Sequence, residues 1–423
     1  MPIPYIIVLN MMKIAVVATR PRRLPKFRSC SGGSDFSRER WRLLSSKVKK
    51  VALEVVQSKN FIPCAGLCVA AAALCLNAAG LHPVMKMMRE DAAYRIAPKI
   101  RDSVADTSTF DATQKLGKFV DRRELSSGIK EILNRKAVTG GYTIVYGAKG
   151  VGKSTIVDSV IQGRPGVIKI KVTSNTSQTE IISKLAEITG TTGLNPTVDD
   201  FLKAMRMSVS GGGTVPTIVF EIERGISAEQ KDGIHGIRSL AKELSTGCSV
   251  ILILSEANAA LEFGSDEHRE EFIFVGELNE LEAREFLTNT PELKLSDSHI
   301  EHVLDNIGAN PAALADMGTK MARDGISVQD FVALKLKRAT ANLVAFPHKA
   351  ILKALKEHPE GVSAAYFNNM ESEGVDLSNP RAVAVAMKSS NALTYRIELD
   401  KYVMLSRSHE VALRTYEPIL PRW

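Results

Sequence analysis

Gly147-Ala148-Lys149-Gly150-Val151-Gly152-Lys153-Ser154 satisfies the pattern G-x-x-x-x-G-K-[ST], and Thr155 follows it. The flanks are what decide the fold. Tyr142-Thr143-Ile144-Val145-Tyr146 is a β-branched and aromatic run that reads as a buried strand, and Ser154-Thr155-Ile156-Val157-Asp158-Ser159-Val160-Ile161 opens a helix. Strand, glycine-rich turn and helix, in that order, gather backbone N–H groups around an anion. Gly147, Gly150 and Gly152 permit positive φ and bring those amides close to phosphate oxygens with no Cβ in the way. The helix starting near Lys153 aims its positive dipole end at the same point. Lys153 is expected to reach the β- and γ-phosphates, the Ser154 hydroxyl to ligate Mg²⁺, and Thr155 to lie beside the α-phosphate. Every residue from Gly147 to Thr155 is thus a candidate contact for a nucleoside triphosphate.

Downstream, strand and helix signals alternate, which predicts an α/β three-layer sandwich around a mainly parallel sheet. Strands are expected at Val167–Val172, Thr217–Phe220, Val250–Leu254 and Phe272–Val275, and helices at Thr179–Thr189, Val198–Met207 and Ala228–Leu244. Ligand belongs at the carboxyl ends of such strands. Val219-Phe220-Glu221-Ile222-Glu223 ends one of them with acids. Glu221 stands where a carboxylate would hold Mg²⁺ through water, while Ile222 occupies the place expected for a catalytic base. Glu223 shares a face with Glu221 if the strand continues, which makes it the candidate base. The alternative is a solvated Glu223 and slow or absent hydrolysis. Ser255 and Asn258, at the end of the next strand, either sense the γ-phosphate or cap the strand.

The net charge of +8 is unevenly spread. Residues 1–60 carry 13 Lys and Arg against 3 Asp and Glu, leaving 42 against 44 in the rest of the chain. Basicity therefore belongs to the amino-terminal arm and does not argue for nucleic-acid binding by the body. Up to Ser34 there are six basic residues and no acidic one, the composition of an organellar presequence, mitochondrial first and plastid second. A secretory segment or a plain disordered arm are the other readings. Phe61–Leu81 is an uncharged run of 21 residues, long enough to cross a bilayer or to form an Ala-rich buried helix. Membrane anchorage, at the mitochondrial inner membrane for instance, is the first of these expectations. The five cysteines (Cys30, Cys64, Cys68, Cys75, Cys248) show neither a disulfide framework nor paired metal spacing, which fits a reducing compartment. Arg101–Gly117 is polar and reads as a linker.

The ordered set resembles the AAA+/STAND class of P-loop ATPases, especially the archaeal-type ATPase branch, over roughly Lys118 to Tyr416. Phe119-Val120-Asp121-Arg122-Arg123-Glu124-Leu125 resembles the F-V-G-R-E-x-E-L box of that class, with Asp121 for Gly and compressed spacing. Leu278-Asn279-Glu280-Leu281-Glu282-Ala283-Arg284-Glu285-Phe286-Leu287 resembles the helix that opens the lid. Ile307-Gly308-Ala309-Asn310-Pro311 resembles the lid turn, which implies Pro311 against adenine. The resemblance implies ATP as the nucleotide, and no guanine-reading Asn-Lys-x-Asp box is present. No arginine finger or sensor 2 arginine matches; Arg224 and Arg238 are the candidates. After the lid, a helix over Leu343–Glu357 interrupted near Pro347 is expected, then short helices at Val362–Asn369 and Asn379–Lys388. A hairpin of Ala392–Ile397 and Lys401–Leu405 and a last helix near Ser408 complete what looks like a winged-helix domain. Its segment Ser378–Ser390 offers Arg381 and Lys388 but no dense basic face, so a protein partner is favoured over DNA.

The expected organisation is a basic arm (1–60), a possible membrane span (61–81), a helical segment and linker (82–117), the ATPase core (118–276), a helical lid (277–341) and the winged helix (342–423). Homo-oligomerisation is compatible with the class. Three functions follow as alternatives: an ATPase coupled to a protein partner, a non-hydrolysing nucleotide switch, and a DNA-associated ATPase.

Overall fold

The computed structural model describes residues 82–423 except 108–109, 111–118, 174–175, 211–213, 223–230, 255–259, 262–269, 291–292, 294 and 418–423. The basic arm, the apolar run 61–81, Glu223, Arg224, Ser255 and Asn258 lie outside the described residues. No helix among the described residues is long and apolar enough to cross a membrane.

The strand signals produce one parallel sheet. Strands β1 (Tyr142–Tyr146), β2 (Val167–Val172), β3 (Thr217–Ile222), β4 (Ser249–Leu254) and β5 (Glu270–Phe274) lie side by side in the order β2-β3-β4-β1-β5. Continuous apolar runs such as Tyr142–Tyr146, buried along its whole length, are what a sheet covered on both faces requires. Because successive side chains alternate, Ile144 and Val145 enter different cores. On one face Ile144, Ile170, Phe220 and Leu252 pack against helices α1 (His82–Asp102), α4 (Gln178–Ile188), α5 (Val198–Ser210) and α6 (Lys231–Leu244). On the other, Val145, Val219 and Ile251 pack against α2 (Arg123–Leu133) and α3 (Lys153–Ile161). This is the three-layer sandwich that the alternation predicts.

A helical region follows, with α7 (Glu280–Asn289), α8 (Asp297–Ile307), α9 (Pro311–Asp324) and α10 (Val328–Ala345) closing on Phe286, Val303, Leu314 and Phe331. Helix α10 contributes Phe331 and Val332 to this core and Ala339 and Leu343 to the next. One rigid element thus runs from the lid into the carboxyl-terminal domain. That domain contains α11 (Lys349–Glu357), β6 (Val362–Ser363), the short ladder β7 (Glu371–Ser372) and β8 (Val375–Asp376), α12 (Pro380–Ser390), β9 (Leu393–Arg396), β10 (Lys401–Met404) and α13 (Arg407–Thr415). Its antiparallel sheet has the order β6-β10-β9.

Two local expectations are corrected. The helix anticipated over Leu343–Glu357 is the end of the longer α10 plus a separate α11. Pro347 forces Phe346 into an extended conformation (φ −73°, ψ 120°), which ends α10 at the expected interruption; what changes is that α10 begins well before Leu343. Val362–Asn369 is not an α-helix either. Val362 pairs with Tyr402 in β10, and only a 3-10 turn, Ala364–Phe367, follows, with the Ser363 hydroxyl accepting the Ala365 N–H at 3.3 Å.

Candidate nucleotide site

The loop between β1 and α3 has the backbone the sequence demands. Gly147, Gly150 and Gly152 all have positive φ (151°, 82° and 90°). A side chain at Gly147 would collide with the Val275 carbonyl, and a Cβ at Gly150 would sit 2.6 Å from the Ala312 Cβ. Glycine therefore serves two purposes here: it turns the loop, and it lets the end of β5 and the lid close on it. Lys153 is 6% exposed and donates to the carbonyls of Gly147 (3.0 Å) and Ala148 (2.7 Å), spanning the loop from the first turn of α3.

The lid turn seals the other side. The Asn310 side chain caps α9, accepting from Ala312 N–H and Ala313 N–H, and its Nδ2 donates to the Lys149 carbonyl at 3.0 Å. The Ala312 N–H donates to the Gly150 carbonyl at 3.2 Å. The result is a pocket of about 440 Å³. Lys149, Gly152, Lys153, Ser154 and Thr155 line its polar end, while Phe119, Val120, Leu278, Phe286 and Pro311 supply apolar surface. The structure thus places Pro311 on the wall of the same pocket as the phosphate loop.

Arg122, in the box quoted above, is the residue that joins these parts. Its Nη1 donates to the Gly276 carbonyl (2.9 Å), its Nη2 to the Glu277 carbonyl (2.8 Å), and its Nε lies 3.4 Å from Glu282 Oε2. Burial lowers its guanidinium from the ordinary value, against the pull of Glu282. A buried arginine bonding to carbonyls at the start of the lid fixes where the lid leaves the sheet. Arg122 Nη1 also donates to the Val151 carbonyl of the phosphate loop at 3.4 Å. The sequence shows the residue but not this role, since its partners at the start of the lid lie more than 150 positions away.

Glu221 sits at the carboxyl end of β3, where the Ser154 hydroxyl donates a hydrogen bond to it. The donor set fits Mg²⁺: a hydroxyl oxygen and a carboxylate are hard oxygen ligands, and Ser154, in giving its proton to Glu221, keeps its lone pairs free for a metal. Burial would raise the Glu221 carboxyl, but hydrogen bonds from Ser154 and Lys169 and the Lys169 charge hold it below the ordinary carboxylate range. Ile222 is buried in the opposite core, so it leaves the site, as strand alternation requires. Lys169 and Asp158, which the sequence reading passes over, complete the group: Lys169 Nζ is 2.7 Å from Asp158 Oδ1 and 3.0 Å from Glu221 Oε2. Arg238 is not part of the site. It pairs with Glu270 at 3.1 Å and bonds the Tyr142 hydroxyl, at the amino end of β1 away from the loop.

The carboxyl-terminal domain also reaches this region. Tyr146, the residue before Gly147, donates its hydroxyl proton to Glu398 and accepts the Ile397 N–H at 3.1 Å. Arg396 lies over the Phe274 ring, 4.2 Å from its centroid. Behind the lid turn, Glu277 accepts the N–H groups of Ala309 (2.9 Å) and Arg407.

Residues 135–261 match the family model described as an AAA domain. No curated protein matches the chain. Among solved structures, the Aeropyrum pernix ORC1 protein in complex with DNA aligns with a TM-score of 0.34 and 14% identity, over 70% of this chain and 93% of that one. Domain III of the Thermotoga maritima replication initiation protein DnaA aligns with a TM-score of 0.33 and 15% identity, over 51% of this chain and 93% of that one. AMPPCP-bound DnaA from Aquifex aeolicus gives 0.31 and 14%, over 64% and 86%. The parallel five-stranded sheet, its phosphate loop and the match over 135–261 describe an AAA+-type P-loop NTPase fold, with helical and carboxyl-terminal domains after it.

Proposed function

We propose that this chain binds ATP with Mg²⁺ as an AAA+ ATPase of the STAND class, and couples that binding or the ensuing hydrolysis to a protein partner through a winged-helix carboxyl-terminal domain. One observation carries the reading. The loop that would cradle the phosphates and the lid turn that would cover the base are joined by hydrogen bonds around a single pocket. Amides of Gly147–Ser154 and the Lys153 ammonium would hold the polyphosphate, and Ser154 and Glu221 would hold the magnesium, which supplies charge neutralisation at the phosphates when bound. The apolar surface of Phe119, Leu278, Phe286 and Pro311 suits an adenine face. Hydrolysis would be an in-line attack by water, with Glu223 as its base. The helices α11 and α12 followed by the β9–β10 hairpin support the winged-helix reading. Mitochondrial import by the basic arm and anchorage by 61–81 belong to the same proposal on sequence grounds alone. Carbonate extraction of fractionated organelles tests them.

Calorimetric titration of the full chain with ATP in MgCl₂ is expected to show one site, abolished by Lys153→Ala. No heat from the wild type sinks the reading. A second reading, a non-hydrolysing switch, is favoured by the burial of Ile222 beside Glu221; it predicts retained ATP and no phosphate release with Glu223 intact. DNA association is the weaker alternative. The Arg381 side chain, at the start of the candidate recognition helix α12, donates to the Leu261 carbonyl at 3.0 Å, toward the core. Salt-dependent binding of duplex DNA by the full chain would restore it.

A further inference from the structure

We propose that Lys169 is a positioning residue for the magnesium-side carboxylate: it clamps Glu221 to the phosphate-loop helix through Asp158. The proposal rests on the nucleotide–magnesium reading above. In the β2–β3 ladder Lys171 lies opposite Glu221, so Lys169, two residues earlier, shares its face and reaches it diagonally. That face is the one covered by α3, which carries both Ser154 and Asp158.

An ammonium has three protons to donate. Here they meet three carboxylate oxygens: Asp158 Oδ1 at 2.7 Å, Asp158 Oδ2 at 2.9 Å and Glu221 Oε2 at 3.0 Å. All three donors are used, so Lys169 is not a second phosphate-binding lysine. The side chains of Lys169 and Asp158 are 5% and 1% exposed and that of Glu221 18%, which puts the fixed part of the group inside and the functional carboxylate at its mouth. The clamp has a specific purpose at this position. Glutamate carries its carboxylate on two methylenes, and the torsions between them would let it wander from Ser154. Anchoring Oε2 to a cation that is itself anchored to α3 removes that freedom.

The rival is a buried Lys169–Asp158 pair that merely holds β2 to α3, with Glu221 incidental. Removing Lys169 alone would leave two carboxylates facing each other, so the test removes Asp158's charge first. Full-length wild type, Asp158→Asn, Asp158→Asn/Lys169→Met and Asp158→Asn/Lys169→Gln are titrated with a fluorescent ATP analogue in EDTA, then with MgCl₂ at fixed analogue. The metal-free affinity of the two double variants, which keep the wild-type net charge, should equal that of wild type. The Mg²⁺ affinity of the Met double variant should fall ten- to a hundredfold below that of Asp158→Asn, the usual loss when a ligand's outer partner is removed. The Gln variant, which keeps an N–H donor without charge, should recover part of it. The direction is diagnostic. Taking a cation away from a metal site tightens Mg²⁺ by charge alone, so unchanged or tighter Mg²⁺ binding in the Met variant overturns the clamp. Equal loss of metal-free affinity overturns it too, since that is the mark of a purely structural pair. A wild type that binds the analogue but ignores MgCl₂ refutes the clamp alone. A wild type that binds no analogue refutes the nucleotide reading itself.

Discussion

Replacing Glu277 by Gln should change how stability depends on pH, and the structure sets the size and the sign. Glu277 is half-buried where the lid leaves the sheet, with a carboxylate oxygen shut off from solvent: its carbonyl accepts Arg122 Nη2, and its carboxylate accepts the Ala309 and Arg407 N–H groups. Burial pushes its carboxyl up to about 7 from an ordinary 4.5, against those two N–H groups and the Arg407 charge, with nearby Glu410 adding to the rise. At 1.36 kcal/mol per pH unit, that difference is worth about 3 kcal/mol. The folded protein holds this proton more tightly than the unfolded chain. Stability from Glu277 is therefore full below about pH 4.5, falls as pH rises toward 7, and is flat above it. Glu277→Gln imitates the protonated form at every pH. Urea unfolding of both proteins between pH 5 and 8 should show the wild type losing about 2–3 kcal/mol relative to the variant. A difference that stays constant, or that grows in the wild type's favour with rising pH, would refute the argument. It would mean that Glu277 is ionised without penalty and that the two N–H groups outweigh burial.

Arg122→Met leaves the carbonyls of Gly276 and Glu277 without their donor, and at about 1.5 kcal/mol per charge-assisted bond the loss should be about 3 kcal/mol by denaturant unfolding. Full stability in that variant would show that the carbonyls find water instead. Gly150→Ala places a methyl 2.6 Å from the Ala312 Cβ at a φ of +82°; it should cost about 1–3 kcal/mol and weaken nucleotide binding by forcing the lid turn off the loop. Unchanged affinity would argue that the lid does not take part in binding. Tyr146→Phe removes the donor to Glu398 and the acceptor of the Ile397 N–H, which should cost about 1–3 kcal/mol and speed proteolysis near the β9–β10 hairpin. An unchanged cleavage rate would detach this contact from the docking of the hairpin.

What could be read from the sequence was local and periodic. The phosphate loop announces itself because strand, glycines and helix are contiguous, and the parallel strands are visible, four as apolar runs and β2 as an alternation of apolar residues with lysine. Pro347 marks a helix boundary for a reason internal to the chain. Other features depend on what covers a residue. In Val167–Val172 the alternation puts Lys169 and Lys171 on one face, but α3 covers the first and leaves the second exposed, so the buried cation cannot be told from its solvated neighbour. Arg122 and Tyr146 stand inside recognised elements, yet the bonds that tie them to the start of the lid and to the hairpin span more than 150 residues. Val362–Asn369 has helix-compatible letters, and the ladder partner that makes Val362 a strand residue is Tyr402, beyond any local window. Burial of charge and pairing across long separations are tertiary facts, and these are the ones that tune the site.

The amino end and the middle of the phosphate loop are held by parts of the chain outside the sheet. At its amino end Tyr146 carries the hairpin through Glu398 and Ile397; in its middle Lys149 and Gly150 carry the lid through Asn310 and Ala312. The two attachments meet again at Glu277, whose carboxylate takes N–H groups from the lid turn and from α13 while its carbonyl takes Arg122. Helix α10 stiffens the connection by sharing its length between the lid core and the carboxyl-terminal core. On the proposed function, phosphate entering the loop would act on bonds that also seat the carboxyl-terminal domain. Coupling free energy is reciprocal, so a partner that lifts the hairpin from Tyr146 must alter nucleotide affinity by the same factor by which nucleotide alters affinity for that partner. Tyr146→Phe should then shrink both factors together, and a variant in which only one of them changed would place the coupling elsewhere.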